Sequence, residues 1–341
     1  MFTAKTRGLR QHRNDFLYSG LLAPSSELRW HPLLRQWVDV SAHRQGRPQL
    51  PEDWCPFCPG SGRVPEQYEV MLYPNDFPAF SFDNPAFTPE VGLFRTTGAQ
   101  GACDVVLYSS NHRLLPSQLS IEQWEKVIAL WTERTGQLFA KPEVKYVSVF
   151  ENAGVAIGVT MPHPHGQIYA FPFVPPLVAT ELDSASEYWR EHSQCLYCEI
   201  LDEEIAAGQR VVASNASFVA FLPFFGRFPA EMQIYSRRHF GALQDLTTEE
   251  RSDLAALVKL VRQKYDNLYG APMPLMMLVR QPPAQALSPY FHFHVEFLPI
   301  QRSATKLKYL AAVESGNGTF LNDTRPEEQA PVLREVEPKT T

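Results

Sequence analysis

Nowhere in this 341-residue sequence do enough apolar residues run together to cross a bilayer, which takes about eighteen or more, and the opening MFTAKTRGLRQHRND has no apolar signal core. The expectation is a cytoplasmic protein with no membrane association. A basic surplus is missing as well. The 31 Lys and Arg against 37 Asp and Glu leave a formal charge of −6, which argues against general nucleic-acid binding. Cysteine is scarce: five residues, an odd number that a disulfide framework would not use up. Four of the five form two Cys-x-x-Cys pairs, Cys55/Cys58 and Cys195/Cys198, a spacing that fits metal binding in a reducing compartment. Cys103, in GACDVVLYS, reads as a small buried hydrophobe.

What is present is an apolar content of 44%, enough for a globular core, in a chain long enough for two domains or one large α/β or α+β unit. Proline is frequent, 29 residues, and divides the chain into short segments. Two longer stretches have helical periodicity. SIEQWEKVIALWTERTGQLFA opens on Ser120 and Gln123 as a capping box, and Ile121, Trp124, Val127, Ile128, Trp131 and Leu138 make an apolar stripe. TTEERSDLAALVKLVRQKYDNLYG repeats the arrangement, with Thr247 and Glu250 as the box and Gly270 as the stop.

The flanks of these helices repeat too. DVVLYSSNHRLLPSQLS precedes the first and EMQIYSRRHFGALQDLT the second; each reads as a strand, a histidine and a short connection to the cap. VKYVSVF and HPHGQIYA follow the first, LMMLV and HFHVEFLP the second, while NDFPAF upstream matches NASFVAF. Cys55 and Cys195 are 140 residues apart, His112 and His239 127, His163 and His292 129. Four features in one order at nearly one offset predict a duplicated unit. The fold class expected is α+β: two such units forming an antiparallel sheet with helices on one face. The division expected is 1–180 and 181–325, followed by a tail over 326–341 whose last segment, REVEPKTT, is expected to be disordered.

Zinc takes four tetrahedral thiolate and imidazole ligands, often from distant segments. The candidate sets are Cys55, Cys58, His112 and His163, then Cys195, Cys198, His239 and His292. Closed sets of this kind leave no open position, so both metals are expected to be structural, pinning each cysteine loop to its His-x-His strand. Along such a strand alternate residues share a face, so His163, His165 and Gln167 should line up. With His163 taken by metal, His165 and Gln167 are left for chemistry. Pro162 and Pro164 lack backbone donors, which predicts a sheet edge with a stiff backbone behind His165. In the second copy Glu296 stands where Gln167 does. A carboxylate repels a phosphoryl group that a neutral amide can bind, so phosphate chemistry belongs to the first copy.

FENAGVAIGVTMPHPHGQIYA resembles the signature of the galactose-1-phosphate uridylyltransferase family of the histidine-triad superfamily. HRQGRP, CPFCPGSGRV, NDFPAF, NHRLLPSQLS, RSATKLKYLAAVE and NDTRPEEQA resemble further family segments in the family's order, over about residues 27 to 335. The resemblance implies a ping-pong transfer of UMP from UDP-glucose, through a uridylyl-histidine, to galactose 1-phosphate, giving UDP-galactose. Carried over by position, His165 is the nucleophile and Gln167 its phosphate partner, with Asn152 and Thr160 at the phosphates. Relatives commonly have serine at the position of Thr160. Arg44, Arg47, Asn75, Asp76 and Phe77 fall on nucleotide-binding positions. Lys308, Tyr309 and Glu314 fall on hexose-phosphate positions that serve the partner subunit's site, which implies a homodimer. Some relatives hold iron on a glutamate and three histidines. Glu181, His292 and His294 match three of those positions, but Arg280 stands at the other, so zinc on the second Cys/His set is favoured over iron. Val313 replaces an aromatic residue found near the hexose in some members. Two other readings share the pattern: an ADP-glucose phosphorylase-like enzyme of the same superfamily, and a non-catalytic zinc-stabilised nucleotide sensor.

Overall fold

The computed structural model describes residues 26–46, 54–283 and 289–339. Near the N-terminus, β1 (Glu27–His31) pairs with β2 (Gln36–Val40) on one side and β4 (Thr96–Gly98) on the other, forming a small sheet. The first half then contributes β3 (Met71–Pro74), β5 (Ala102–Leu107), α1 (Ile121–Phe139), β6 (Tyr146–Ala153) and β7 (His165–Phe171). Two helices follow, α2 (Pro176–His192) and α3 (Leu196–Ala207). The second half contributes β8 (Val211–Ser214), β9 (Phe218–Phe221), β10 (Met232–Ser236), α4 (Thr248–Leu268), β11 (Leu275–Arg280), β12 (His294–Pro299) and α5 (Pro326–Glu335).

The main sheet has nine strands in the order β3-β5-β7-β6-β11-β12-β10-β9-β8, every neighbouring pair antiparallel. Read inward, β3-β5-β7-β6 from one end and, after the extra edge strand β8, β9-β10-β12-β11 from the other follow one plan, and the two copies meet at β6 and β11. The duplicated α+β unit expected from the motif order is therefore built as one continuous sheet. Helices α1 and α4 cover one face. Trp124, Val127, Ile128, Trp131 and Leu138 of α1 are buried with Leu254, Val258 and Val261 of α4 and with Val149, Ile168 and Ala170 of the sheet. Ile121, placed in the apolar stripe by periodicity, is instead exposed in the first turn.

Three local expectations change. Strand β7 is not an edge: β5 and β6 flank it, with His165 opposite Leu107 and Gln167 opposite Phe150. Pro162 and Pro164 precede the first ladder residue, so no ladder N–H is lost, and the Pro164 carbonyl still accepts from Tyr108 N at 3.0 Å. NDFPAF is a loop, not the counterpart of a strand. The Asn75 side chain accepts from Phe77 N at 2.9 Å, an Asx turn, and Pro78 follows; the strand lies just upstream as β3. The presumed tail is partly ordered, because α5 buries Ala330 and Leu333, and Lys264 Nζ donates to the carbonyls of Leu333, Arg334 and Val336 at its C-terminus.

Candidate active site and metal-binding clusters

The alternation of β7 separates core from chemistry. Gly166, Ile168 and Ala170 are buried on the helix-covered face, while His165, Gln167 and Tyr169 lie half-buried on the other. His165 is oriented from behind: its Nδ1–H donates to the His163 carbonyl at 2.7 Å, and the Phe57 ring stands 5.9 Å away, centroid to centroid.

His165 and Gln167 form one wall of a cavity of about 390 Å³. Asn75, Asp76, Phe77 and Thr160 complete the set expected there, brought in by the loop after β3 and the loop before β7. Sequence reading passed over Trp54, Phe57, Arg63, Tyr73, Val105 and Met161, which line the same cavity. Trp54, Phe57 and Arg63 all flank Cys55 and Cys58, so the metal-loop motif was the available signal. Arg63 donates to Tyr73 Oη at 2.8 Å and to Asp76 Oδ1 at 2.5 Å, fixing the Asp76 carboxylate at the rim. Arg44 donates to the Phe77 carbonyl at 2.9 Å, behind the wall that Phe77 forms. Arg47 lies outside the described residues. A second cavity, about 370 Å³, shares Thr160, Met161 and His165 with the first and is lined also by Asn152, Glu151 and Arg262.

Lys308, Tyr309 and Glu314 line neither cavity. Lys308 and Glu314 are buried as a pair, Nζ to Oε1 3.0 Å, and Glu314 Oε2 accepts from Ala311 N. Tyr309 beside them is 75% exposed. Val313 is on the surface of the same loop.

The two Cys/His groups are assembled as the spacing predicts. The donor atoms of Cys55, Cys58, His112 and His163 lie within 4.8 Å of one another, as do those of Cys195, Cys198, His239 and His292. Their hydrogen bonds fit a cation. His163 Nε2–H donates to the Ser109 carbonyl at 2.7 Å, which turns the Nδ1 lone pair toward the sulfurs of Cys55 and Cys58, each 3.8 Å away. His292 repeats this, with Nε2 at the Ser236 carbonyl, 2.7 Å, and Nδ1 3.4 Å from Cys198 Sγ. His112 and His239 aim Nδ1 at Cys58 and Cys198, 3.3 and 3.4 Å. Burial pushes the His163 imidazole down to about 4, so it is neutral, as a ligand must be, at pH 7. Burial likewise pushes the Cys55 thiol up to about 11, a cost that a bound cation would offset. All five cysteines are free thiols. Cys103 is buried against Leu28, Ala79 and Phe80, as expected.

Glu181 and His294 belong to neither group. Arg280 Nη2 stands 3.7 Å from Glu181 Oε1 and 2.7 Å from Glu296 Oε2, so a guanidinium faces the one carboxylate, Glu181, that an iron site there would use. His294, the counterpart of His165, is fully buried, and burial lowers it to about 4.

Known proteins resemble this chain in sequence and in fold. The galactose-1-phosphate uridylyltransferase of Thermotoga maritima is 40% identical over 315 residues, spanning 91% of this chain and 98% of that protein. That of Rattus norvegicus is 31% identical over 331 residues, spanning 90% and 86%. A solved uridylyltransferase mutant superposes with a TM-score of 0.84 at 34% identity, covering 91% of this chain and 97% of its own. An ADP-glucose phosphorylase from Arabidopsis thaliana superposes at 0.73 with 27% identity, covering 92% and 99%. The N-terminal domain of the galactose-1-phosphate uridyl transferase family matches residues 21–175 and its C-terminal domain residues 181–339, and the chain belongs to that family.

Proposed function

We propose that this chain transfers UMP from UDP-glucose to galactose 1-phosphate through a covalent uridylyl-His165. The observation that carries the reading is the pairing of His165 and Gln167 on one face of β7, at the wall of a nucleotide-sized cavity. With Nδ1–H held by the His163 carbonyl, Nε2 is the nitrogen whose lone pair attacks the α-phosphorus. The bond from that phosphorus to the bridging oxygen breaks, and glucose 1-phosphate leaves with the electron pair. The ring becomes cationic, and its Nδ1–H···O=C bond strengthens as it does. In the second half-reaction a phosphate oxygen of galactose 1-phosphate attacks the same phosphorus, the N–P bond breaks, and neutral imidazole returns.

The remaining roles are those that the family resemblance implies. The Gln167 amide donates to an α-phosphate oxygen, with Thr160 and Asn152 beside it. Asp76, braced by Arg63 and Tyr73, accepts the ribose hydroxyls, and Asn75 and Phe77 complete the nucleotide wall with Arg44 bracing Phe77 from behind; Arg47 is assigned a nucleotide contact from the family resemblance alone. Zinc fills both Cys/His groups as a structural ion. Lys308, Tyr309 and Glu314, which line neither of the two cavities, serve the partner's site in a homodimer; the exposure of Tyr309 supports this. Residues 1–180 and 181–325 act as the two repeat units. A reducing cytoplasm suits five cysteines that form no disulfide; no helix among the described residues is long and apolar enough to cross a membrane.

The test is UDP-glucose labelled in the α-phosphate, followed by galactose 1-phosphate or inorganic phosphate. Label on His165, discharged by galactose 1-phosphate, is expected. No covalent label sinks the mechanism, and discharge by phosphate alone identifies a nucleotide-sugar phosphorylase.

A further inference from the structure

Beneath the catalytic strand, on the helix-covered face, lies a buried polar cluster that the reaction as described does not use. Glu151 on β6 and Arg262 on α4 are 1% and 2% exposed and paired at 3.0 Å, Oε1 to Nη1. Tyr108, fully buried, has its hydroxyl near the Glu151 carboxylate but outside hydrogen-bond geometry. Glu151 Oε2, Arg262 Nε and Nη1 and Tyr108 Oη have no hydrogen-bond partner among the described residues, so Glu151 and Arg262 meet as an ion pair rather than through an aligned hydrogen bond. Glu151 and Arg262 also border the cavity that contains Asn152, Thr160 and His165.

The cluster presses directly on the backbone between His165 and Gln167. A Cβ added to Gly166 would stand 2.1 Å from Tyr108 Oη and 3.1 Å from the Phe150 carbonyl. Glycine is required because the tyrosine occupies that space.

The second copy serves as a control. Gln167 pairs with Phe150 and Glu296 with Leu278, so the next residue along each strand is Glu151 in one copy and Val279 in the other. Gly166 has Val295 as its counterpart. Opposite His165 and His294 stand Leu107 and Tyr235, so Tyr108 is matched in register by Ser236. The sheet therefore accepts a valine pair, Val279 opposite Val295, where the first copy holds a charged residue beside a glycine. Burying an ion pair is costly, and well-packed apolar residues of similar volume often match or exceed its stability. Stability does not account for the cluster.

We propose that Glu151, paired with Arg262 beside the Tyr108 ring that fills the space at Gly166, is a positioning residue: it fixes the backbone of His165-Gly166-Gln167 and of the adjoining Asn152 at the geometry for attack on phosphorus. The second half, whose own His294 is sealed beside Glu296 and Arg280, thus contributes to catalysis by supplying Arg262 from α4. This rests on uridylyl transfer at His165.

The test compares wild type with E151L/R262M, which makes the pair apolar, and with Y108F, which removes one oxygen. The readouts are melting temperature, UDP-glucose affinity and the single-turnover rate of label transfer to His165. A displacement of about 1 Å can cost roughly 100-fold in rate. The double variant is therefore expected to lose about tenfold to 100-fold in that rate, with affinity held within about threefold and no drop in melting temperature. Y108F is expected to lose about threefold to tenfold by the same displacement argument. If the double variant does not fold, Y108F decides alone. A folded variant that labels at the wild-type rate overturns the positioning role, as does a loss of rate that only tracks lost affinity or lost folded protein. Absence of label on wild type overturns the underlying reaction instead.

Discussion

At the residue scale the distinguishing choice is Gln167, an amide two positions from His165 on the same face of β7. The family resemblance sets it against histidine-triad hydrolases, which carry a histidine there. An imidazole at this position can take a proton from water, and general-base assistance is worth roughly 10²- to 10⁴-fold. In the proposed mechanism a neutral amide donates to phosphate but cannot activate water, which would let the uridylyl-enzyme survive until a sugar phosphate arrives. The Q167H variant should hydrolyse its uridylyl-enzyme at least about tenfold faster and transfer to galactose 1-phosphate more slowly. Decay of isolated labelled enzyme in buffer measures the first effect. Unchanged transfer together with no gain in hydrolysis would remove Gln167 from this role.

At the scale of elements, periodicity and caps carried much of the reading, and tertiary contacts account for the departures. Ser120 caps α1 as expected, accepting from Gln123 N at 3.0 Å, but the box is not closed. The Gln123 amide reaches instead to the carbonyls of Glu69 and Tyr108, both 2.6 Å, which no local pattern announces. On α4 the box is complete: Glu250 N donates to Thr247 Oγ1 at 3.2 Å and Thr247 N to Glu250 Oε2 at 2.9 Å. The prolines before His165 misled for a related reason, since sequence marks a missing donor but not where the ladder begins. Glu151 and Arg262 went unnoticed because they lie 111 residues apart and meet only across the two halves.

The α4 cap has a pH signature. Arg238 Nε donates to Glu250 Oε1 at 2.7 Å, which holds the Glu250 carboxyl below its ordinary range. A lowered folded value means that the stabilisation is complete above the unfolded value of about 4.3 and is lost as pH falls through the folded one. E250Q keeps the shape without the charge and should cost about 1 kcal/mol near neutrality. Its melting temperature should lie below wild type at pH 7, with the gap closing below about pH 4. A gap independent of pH would assign the loss to packing rather than to the charge.

At the scale of the whole molecule, a symmetric duplication carries an asymmetric function, and the metal clusters divide the same way. Both groups tie a cysteine segment to a His-x-His strand, and both were legible because motif order survives duplication. Their surroundings differ. The loop of Cys55 and Cys58 also brings Trp54, Phe57 and Arg63 to the cavity wall, and His163 supplies the carbonyl that orients His165. The group of Cys195 packs with Ala185, Leu201, Tyr235 and Phe291, around a histidine that Arg280 and Glu296 enclose. Loss of metal from the first group should therefore move catalytic atoms, and loss from the second should loosen α3 and its neighbours at a distance from them. C55S and C195S are each expected to lower metal content by about one ion per chain and to destabilise the fold by several kcal/mol, since metal binding is coupled to folding. In the fraction that remains folded, C55S should slow uridylylation of His165 about tenfold or more, the scale on which misplaced metal-shell residues act. C195S should leave that rate within about threefold, because Arg262 is anchored by α4 in the main core rather than by the second cluster. Metal content by atomic emission, active fraction by burst amplitude and rate by single-turnover labelling separate the two effects. Equal slowing by both substitutions, at matched active fraction, would show that the second cluster supports the catalytic strand as directly as the first.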